Sequence, residues 1–156
     1  MRTSFLAIGA TAAFSFFAGS VFAHHATDVY FDLNTIYVLR GVISSFTFQN
    51  PHSYAFMDVT TCKTDKWAVE MESPSALSRK AFSSTTLQKG MPVSIVGSPA
   101  KFASTSALSG LAEAWKDKRF VLGGCVTLPD GKKVESDNGP KCNRPKPDMV
   151  IGLEAK

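Results

Sequence analysis

Three successive runs between Ile36 and Met71 alternate apolar and polar residues with the period of a β-strand, and this limits the possible folds more than any other feature. In the first run, "IYVLRGVISSFTFQNP", the alternation assigns Ile36, Val38, Val42, Phe46 and Phe48 to one face. Arg40 interrupts that face and Gly41 follows it, which predicts a bend or bulge in mid-strand. Asn50-Pro51 turns the chain into "HSYAFMDVTT", with Tyr54 and Phe56 on one side and Ala55, Met57 and Val59 on the other. A polar tip, "CKTD", leads to "KWAVEME", where Trp67, Val69 and Met71 alternate with Ala68, Glu70 and Glu72.

The period changes at Ser73-Pro74. Serine suits an N-cap and proline the first helical position, so "SPSALSRKAF" is expected to form a short helix that turns Leu77 and Ala81 inward. "LQKG" then turns into a fourth strand, "MPVSIVGSPA", through Val93 and Ile95. The Ser/Ala/Gly-rich stretch from Ala100 to Gly110 is expected to be a mobile loop, and "KRFVLGG" a fifth strand followed by loop or hairpin. Three strands, a helix and two strands, with a long kinked first strand, match a mainly β, five-stranded OB-like barrel with one short helix between strands 3 and 4. A small β-sandwich is the alternative.

The chain opens with Arg2 and a nearly continuous apolar or small stretch from Phe5 to Phe22, with Val21 and Ala23 placed as in a cleavage site. A charge to orient, an apolar core to insert and a small exit site together define a secretory signal peptide. An uncleaved anchor is the competing reading, but the interspersed Gly, Ala, Ser and Thr suit a span poorly. The expected organisation is a signal peptide at 1–23, a barrel domain at 24–122 and a turn-rich tail at 123–156, with the mature protein soluble in the periplasm or secreted. With 17 basic against 13 acidic residues and no long run of like charge, nucleic acid is not an expected partner. No later stretch suits stable membrane insertion.

Three cysteines suit an oxidising compartment and leave one over. Cys125 and Cys142 flank the turn-rich "CVTLPDGKKVESDNGPKC" and are the expected disulfide, with Cys62 the odd thiol.

Catalytic patterns are sparse: the sequence has no G-x-S-x-G, Gly-rich phosphate loop or C-x-x-C. Glu70 and Glu72 share a strand face that could hold a general acid and base, although such pairs more often line the solvated face of an edge strand. Phe46, Phe48, Tyr54, Phe56 and Trp67 could stack bases or sugars, or simply supply barrel core and surface aromatics. The three histidines offer more chemistry. After cleavage behind Ala23, the α-amino nitrogen and ring nitrogen of His24 can chelate one ion together, and His52 in "QNPHS" can add a third nitrogen. Such a planar nitrogen set suits Cu(II), with zinc as second choice. Against this, any polar pair would serve as a mature start, and a histidine after Asn-Pro can simply satisfy a turn.

The mature-start "HH", then "YFD", "LRGVI", "F-x-F-Q-NPH", "W-x-VE", "SPSALSR", "LQKG" and "V-x-I-x-G-x-PAK", resemble a family of small exported bacterial proteins of unknown function. The resemblance spans about residues 20–103, and its motif positions fall on His24, His25, Asp32, Gly41, Asn50, Pro51, His52, Trp67, Glu70 and Gly90. Ala26 replaces the usual serine, Met91-Pro92 stands where aspartate is common, and the tail from Gly123 has no counterpart. The resemblance implies export and one small β-barrel-like domain, without an established activity.

The expected function is therefore an exported, non-enzymatic binding domain with a copper (or zinc) site at His24 and His52, helped by His25 or Glu70. The alternative is a metal-free envelope module that binds a peptide, glycan or protein through the barrel face.

Overall fold

Branched and aromatic residues recurring every second position favour extended backbone, and they build the barrel strand by strand. The computed structural model describes residues 27–101, 119–143 and 146–152. Its elements are α1 (Thr27–Tyr30), β1 (Tyr37–Thr47), β2 (Ser53–Thr60), β3 (Thr64–Met71), α2 (Pro74–Ser78), β4 (Pro92–Pro99), β5 (Phe120–Thr127), β6 (Lys133–Glu135) and β7 (Met149–Ile151). β1 pairs antiparallel with both β2 and β4, β2 with β3, and β4 with β5. The parallel pairing of β3 with β5 closes the ring in the order β1-β2-β3-β5-β4, giving the five-stranded OB-like barrel expected.

β2, β3 and β4 orient their side chains as their alternation predicts. Ala55, Met57, Val59, Trp67, Val69, Met71, Val93 and Ile95 fill the interior. β1 does not follow its expectation. Leu39 and Ile43 point inward, whereas Val42 is 40% exposed. Gly41 stands between these inward residues, where a Cβ would lie only 2.4 Å from the Asp58 carbonyl oxygen, so β1 and β2 meet more closely than any side chain allows. The irregularity also comes later than Arg40-Gly41: the register with β2 shifts between Ile43 and Ser45, and beyond it Phe46 packs against the core. One extra residue reverses which face each later side chain occupies, so no single alternation describes the whole strand.

α2 begins as expected, with the Ser73 hydroxyl accepting from the Ala76 N–H and Pro74 in the first turn. It is shorter than expected. The Lys80 and Phe82 N–H groups both donate to Leu77 O, and Ala81 adopts φ 57°. That reversal leaves Ala81 exposed and buries Phe82 in its place.

A second, smaller core lies outside the barrel. Ala68, Phe120 and Leu122 pack with Phe31 and Ala100, flanked by Leu33, Tyr54 and Phe56. Phe31 and Phe120 rings are 5.4 Å apart. The segment carrying Phe31 is tied down by Asp32 N–H to Pro99 O, Lys101 N–H to Tyr30 O, and a bridge between Phe31 and Ala100.

β5 continues past Gly123 to Thr127 and forms a hairpin with β6 across Pro129-Asp130-Gly131. Cys125 and Cys142 form the expected disulfide, and Cys62 is free and exposed. β7, which the sequence pattern did not suggest, pairs in parallel with Tyr37–Leu39 of β1. The expected signal peptide (1–23), His24, His25 and residues 102–110 of the expected loop lie outside the described residues. Among the described residues no helix is long and apolar enough to cross a membrane.

Candidate functional site

His52 immediately precedes β2, beyond the cis Asn50-Pro51 bond, and Glu70 points outward from β3 between the inward Val69 and Met71. The structure brings these two expected site residues together: His52 Nδ1 contacts Glu70 Oε1. Both are largely shielded, with side-chain exposures of 21% for His52 and 9% for Glu70. The hydrogen bond to Glu70 raises the His52 pKa above its usual value; burial opposes this, and the carboxylate charge adds to it. With Nδ1 engaged by the carboxylate, Nε2 is the ring nitrogen whose lone pair a metal would take.

Tyr54 lies directly across from Glu70 in the β2–β3 register. Burial, followed by the negative charge of Glu70, pushes its phenol pKa well up, so Tyr54 stays a neutral hydroxyl. Nothing within either strand's sequence marks Tyr54 as a neighbour of Glu70. Its only signal was a period-two position on the same outer face.

The Glu70–Glu72 pair corrects the expectation of a solvated edge. Their residues are 7% and 6% exposed, because β3 is flanked by β2 and β5 rather than lying at an edge. Their partners also differ. Glu72 Oε2 accepts from Lys80 Nζ at 2.8 Å and Oε1 from the Asp137 N–H at 3.1 Å, while Lys80 also pairs with Asp137 Oδ2 at 2.9 Å. Glu72 thus anchors the segment after β6 to the turn that follows α2, while Glu70 serves the histidine. The aromatic group divides as well: Trp67 is inside the barrel, Phe46 and Phe48 flank its core, and Tyr54 and Phe56 belong to the outer cluster.

Several other motif positions have structural work. Asp32 closes a turn, its carboxylate accepting from Thr35 Oγ1 at 2.7 Å and the Asn34 N–H at 3.2 Å. These bonds hold its pKa below the usual carboxylate value, the Thr35 hydroxyl most strongly. Gly90 takes φ 87° in the turn before β4. Among the described residues no three His, Cys, Asp or Glu side chains are grouped as a metal site. His52 and Glu70 are two candidates in contact, and His24 and His25 lie outside those residues.

A closed OB-like barrel with a shielded histidine–carboxylate pair on its outer face defines the class of this protein. The chain belongs to the "Family of unknown function (DUF6152)", whose sequence profile matches residues 13–109. β5, β6, β7 and both disulfide cysteines fall beyond that match. No curated protein and no solved structure matches the chain.

Proposed function

We propose that the chain is an exported, non-enzymatic binding domain that holds Cu(II), or zinc as second choice, between the mature N-terminal His24 and His52. The contact of Glu70 with His52 Nδ1 is the observation that carries this reading. Metal-binding histidines commonly donate their other ring N–H to a carboxylate, which fixes the tautomer and aims the ring. Glu70 then acts as the positioning residue for His52. His25 is the further ligand available beside His24.

The position of the N-terminal segment is consistent with this reading. Phe31 packs on the same outer cluster as Tyr54, the cross-strand neighbour of Glu70. His24 is three residues before Thr27, a reach of roughly 10 Å of extended chain. A freed α-amino group titrates near pH 8 and His52 loses its proton above its ordinary value, so metal affinity rises with pH across neutrality.

Cu(II) and Zn(II) titrations of correctly cleaved protein, with elemental analysis of the native protein, test the reading. One extra N-terminal residue should weaken Cu(II) at least about tenfold by removing the chelating amine, and His52→Ala should do comparable damage. Affinity for both metals weaker than roughly micromolar at neutral pH rejects the site and leaves the metal-free module that binds through its barrel face.

A further inference from the structure

On the outer face of the barrel, the registers align Tyr54, Glu70, Leu122 and Ser98 across β2, β3, β5 and β4. Ser98 ends this row two strands, roughly 10 Å, from Glu70. It is 1% exposed, and its Oγ has no hydrogen-bond partner among the described residues. A buried hydroxyl left in that state costs free energy unless a ligand or water completes it.

Ser98 lies in the wall of a cleft of about 350 Å³, with Leu33 beside it and Asn138, Lys141 and Asn143 across from it. That volume is at the lower end for small-molecule sites and far exceeds a single ordered water. The far wall is built by the segment after β6, which the Cys125–Cys142 disulfide staples to β5 and which the Ser136 N–H to Gly124 O bond, 2.7 Å, holds close.

The polar side chains lining the cleft are a hydroxyl, two amides and an ammonium. All four can donate, and none is acidic. The nearby carboxylates have partners of their own. Glu135 Oε1 accepts the Cys142 N–H at 2.8 Å, and Asp137 is shared between Lys80 at 2.9 Å and Lys141 at 3.6 Å. Lys141 lines the cleft; its Nζ donates to the neutral Ser136 O at 2.8 Å, and its ion pair with Asp137, at 3.6 Å, is the longer of the two that this carboxylate makes.

We propose that this cleft binds a small organic acid through its carboxylate, with the Ser98 hydroxyl, the Lys141 ammonium and the Asn138 and Asn143 amides as donors. Ser98 and Leu33 fall within the family-matched residues and the opposite wall lies beyond that match, so the cleft forms where the two parts of the chain meet.

The test is a ¹H–¹⁵N titration of the full oxidised protein with citrate, inorganic phosphate and sorbitol at constant ionic strength. Citrate should cause saturable shifts at Leu33, Ser98, Asn138, Gly139 and residues 141–143, with a Kd of about 1 mM or tighter, and sorbitol should cause none. Ser98→Ala and the surface variant Asn143→Ala should each weaken citrate about fivefold or more without altering the rest of the spectrum. Phosphate binding as well as citrate overturns the organic-acid assignment, and equal response to sorbitol overturns the anionic one. No saturable shift at the cleft, or undiminished citrate affinity in Asn143→Ala, overturns the site.

Discussion

Gly124→Ala tests whether the segment after β6 is clamped to the barrel. Gly124 lies where the β4–β5 register jumps from Val96↔Cys125 to Gly97↔Gly123. A Cβ there would lie 2.0 Å from Pro140 O, 2.2 Å from Pro140 N and 2.5 Å from Gly139 C. All three are backbone atoms that cannot swing aside like a side-chain tip. Reaching ordinary contact means moving the segment by more than about 1 Å, against the adjacent disulfide and the Ser136–Gly124 hydrogen bond. Overpacking of this kind costs about 1–3 kcal/mol, and losing the hydrogen bond costs about 1 kcal/mol. The reduced freedom of the unfolded chain returns about 0.5–1 kcal/mol. The net loss of about 1–3.5 kcal/mol corresponds to a Tm fall of roughly 4–14 °C in a chain of this size. Calorimetry of the oxidised protein reads it directly. In a Cys125→Ser/Cys142→Ser background the segment can lift, and the same substitution should cost no more than about 1 kcal/mol. An oxidised Gly124→Ala protein melting within about 2 °C of wild type, or equal penalties in the two backgrounds, would refute the clamp.

Leu77 is 1% exposed and is the buried residue through which α2 meets the barrel core, so Leu77→Ala should cost about 2–5 kcal/mol by urea denaturation. Non-reducing peptide mapping should recover Cys125 linked to Cys142 with Cys62 free; a dominant linkage through Cys62 contradicts the structure. Removing that bond, which spans 17 residues, should cost about 3 kcal/mol. Glu70→Gln should lower the His52 pKa, read from its ring proton shifts, because the hydrogen bond to Glu70 is the main cause of its rise. The pair's stabilisation is full below the unfolded histidine value, near pH 6.5, and is lost as pH rises through the higher folded value. The stability advantage of wild type over Glu70→Gln should therefore shrink with rising pH through that window, and an unchanged His52 titration would contradict it.

How legible each element was depends on how local its cause is. The N-cap needed only Ser73 beside Pro74, and the inward faces of β2 and β3 only positions two apart. The disulfide was legible from two cysteines flanking a short, turn-rich loop. The end of α2 was not. Ala81 looked like another inward helical position, but Phe82 buries far more apolar surface, and the left-handed turn at Ala81 delivers it to the core. At the candidate site, the sequence singled out His52 and Glu70 separately. Their contact depends on how β2 and β3 are paired, and a shift of one residue would turn Glu70 to the other face.

By itself, then, the sequence determined the succession of the five barrel strands along the chain, the helix start, the disulfide and the residue types that could bind a metal, because short-range periodicity and spacing decide them. Tertiary structure alone decided that Leu39 and Ile43 are the inward face of β1, that Glu70 and Glu72 are buried with different partners, and that β7 pairs with β1. It also aligned Tyr54, Glu70, Leu122 and Ser98 in one row. Each of these follows from strands distant in sequence becoming neighbours when the barrel closes, and no local pattern within one strand encodes which neighbour arrives or in which register.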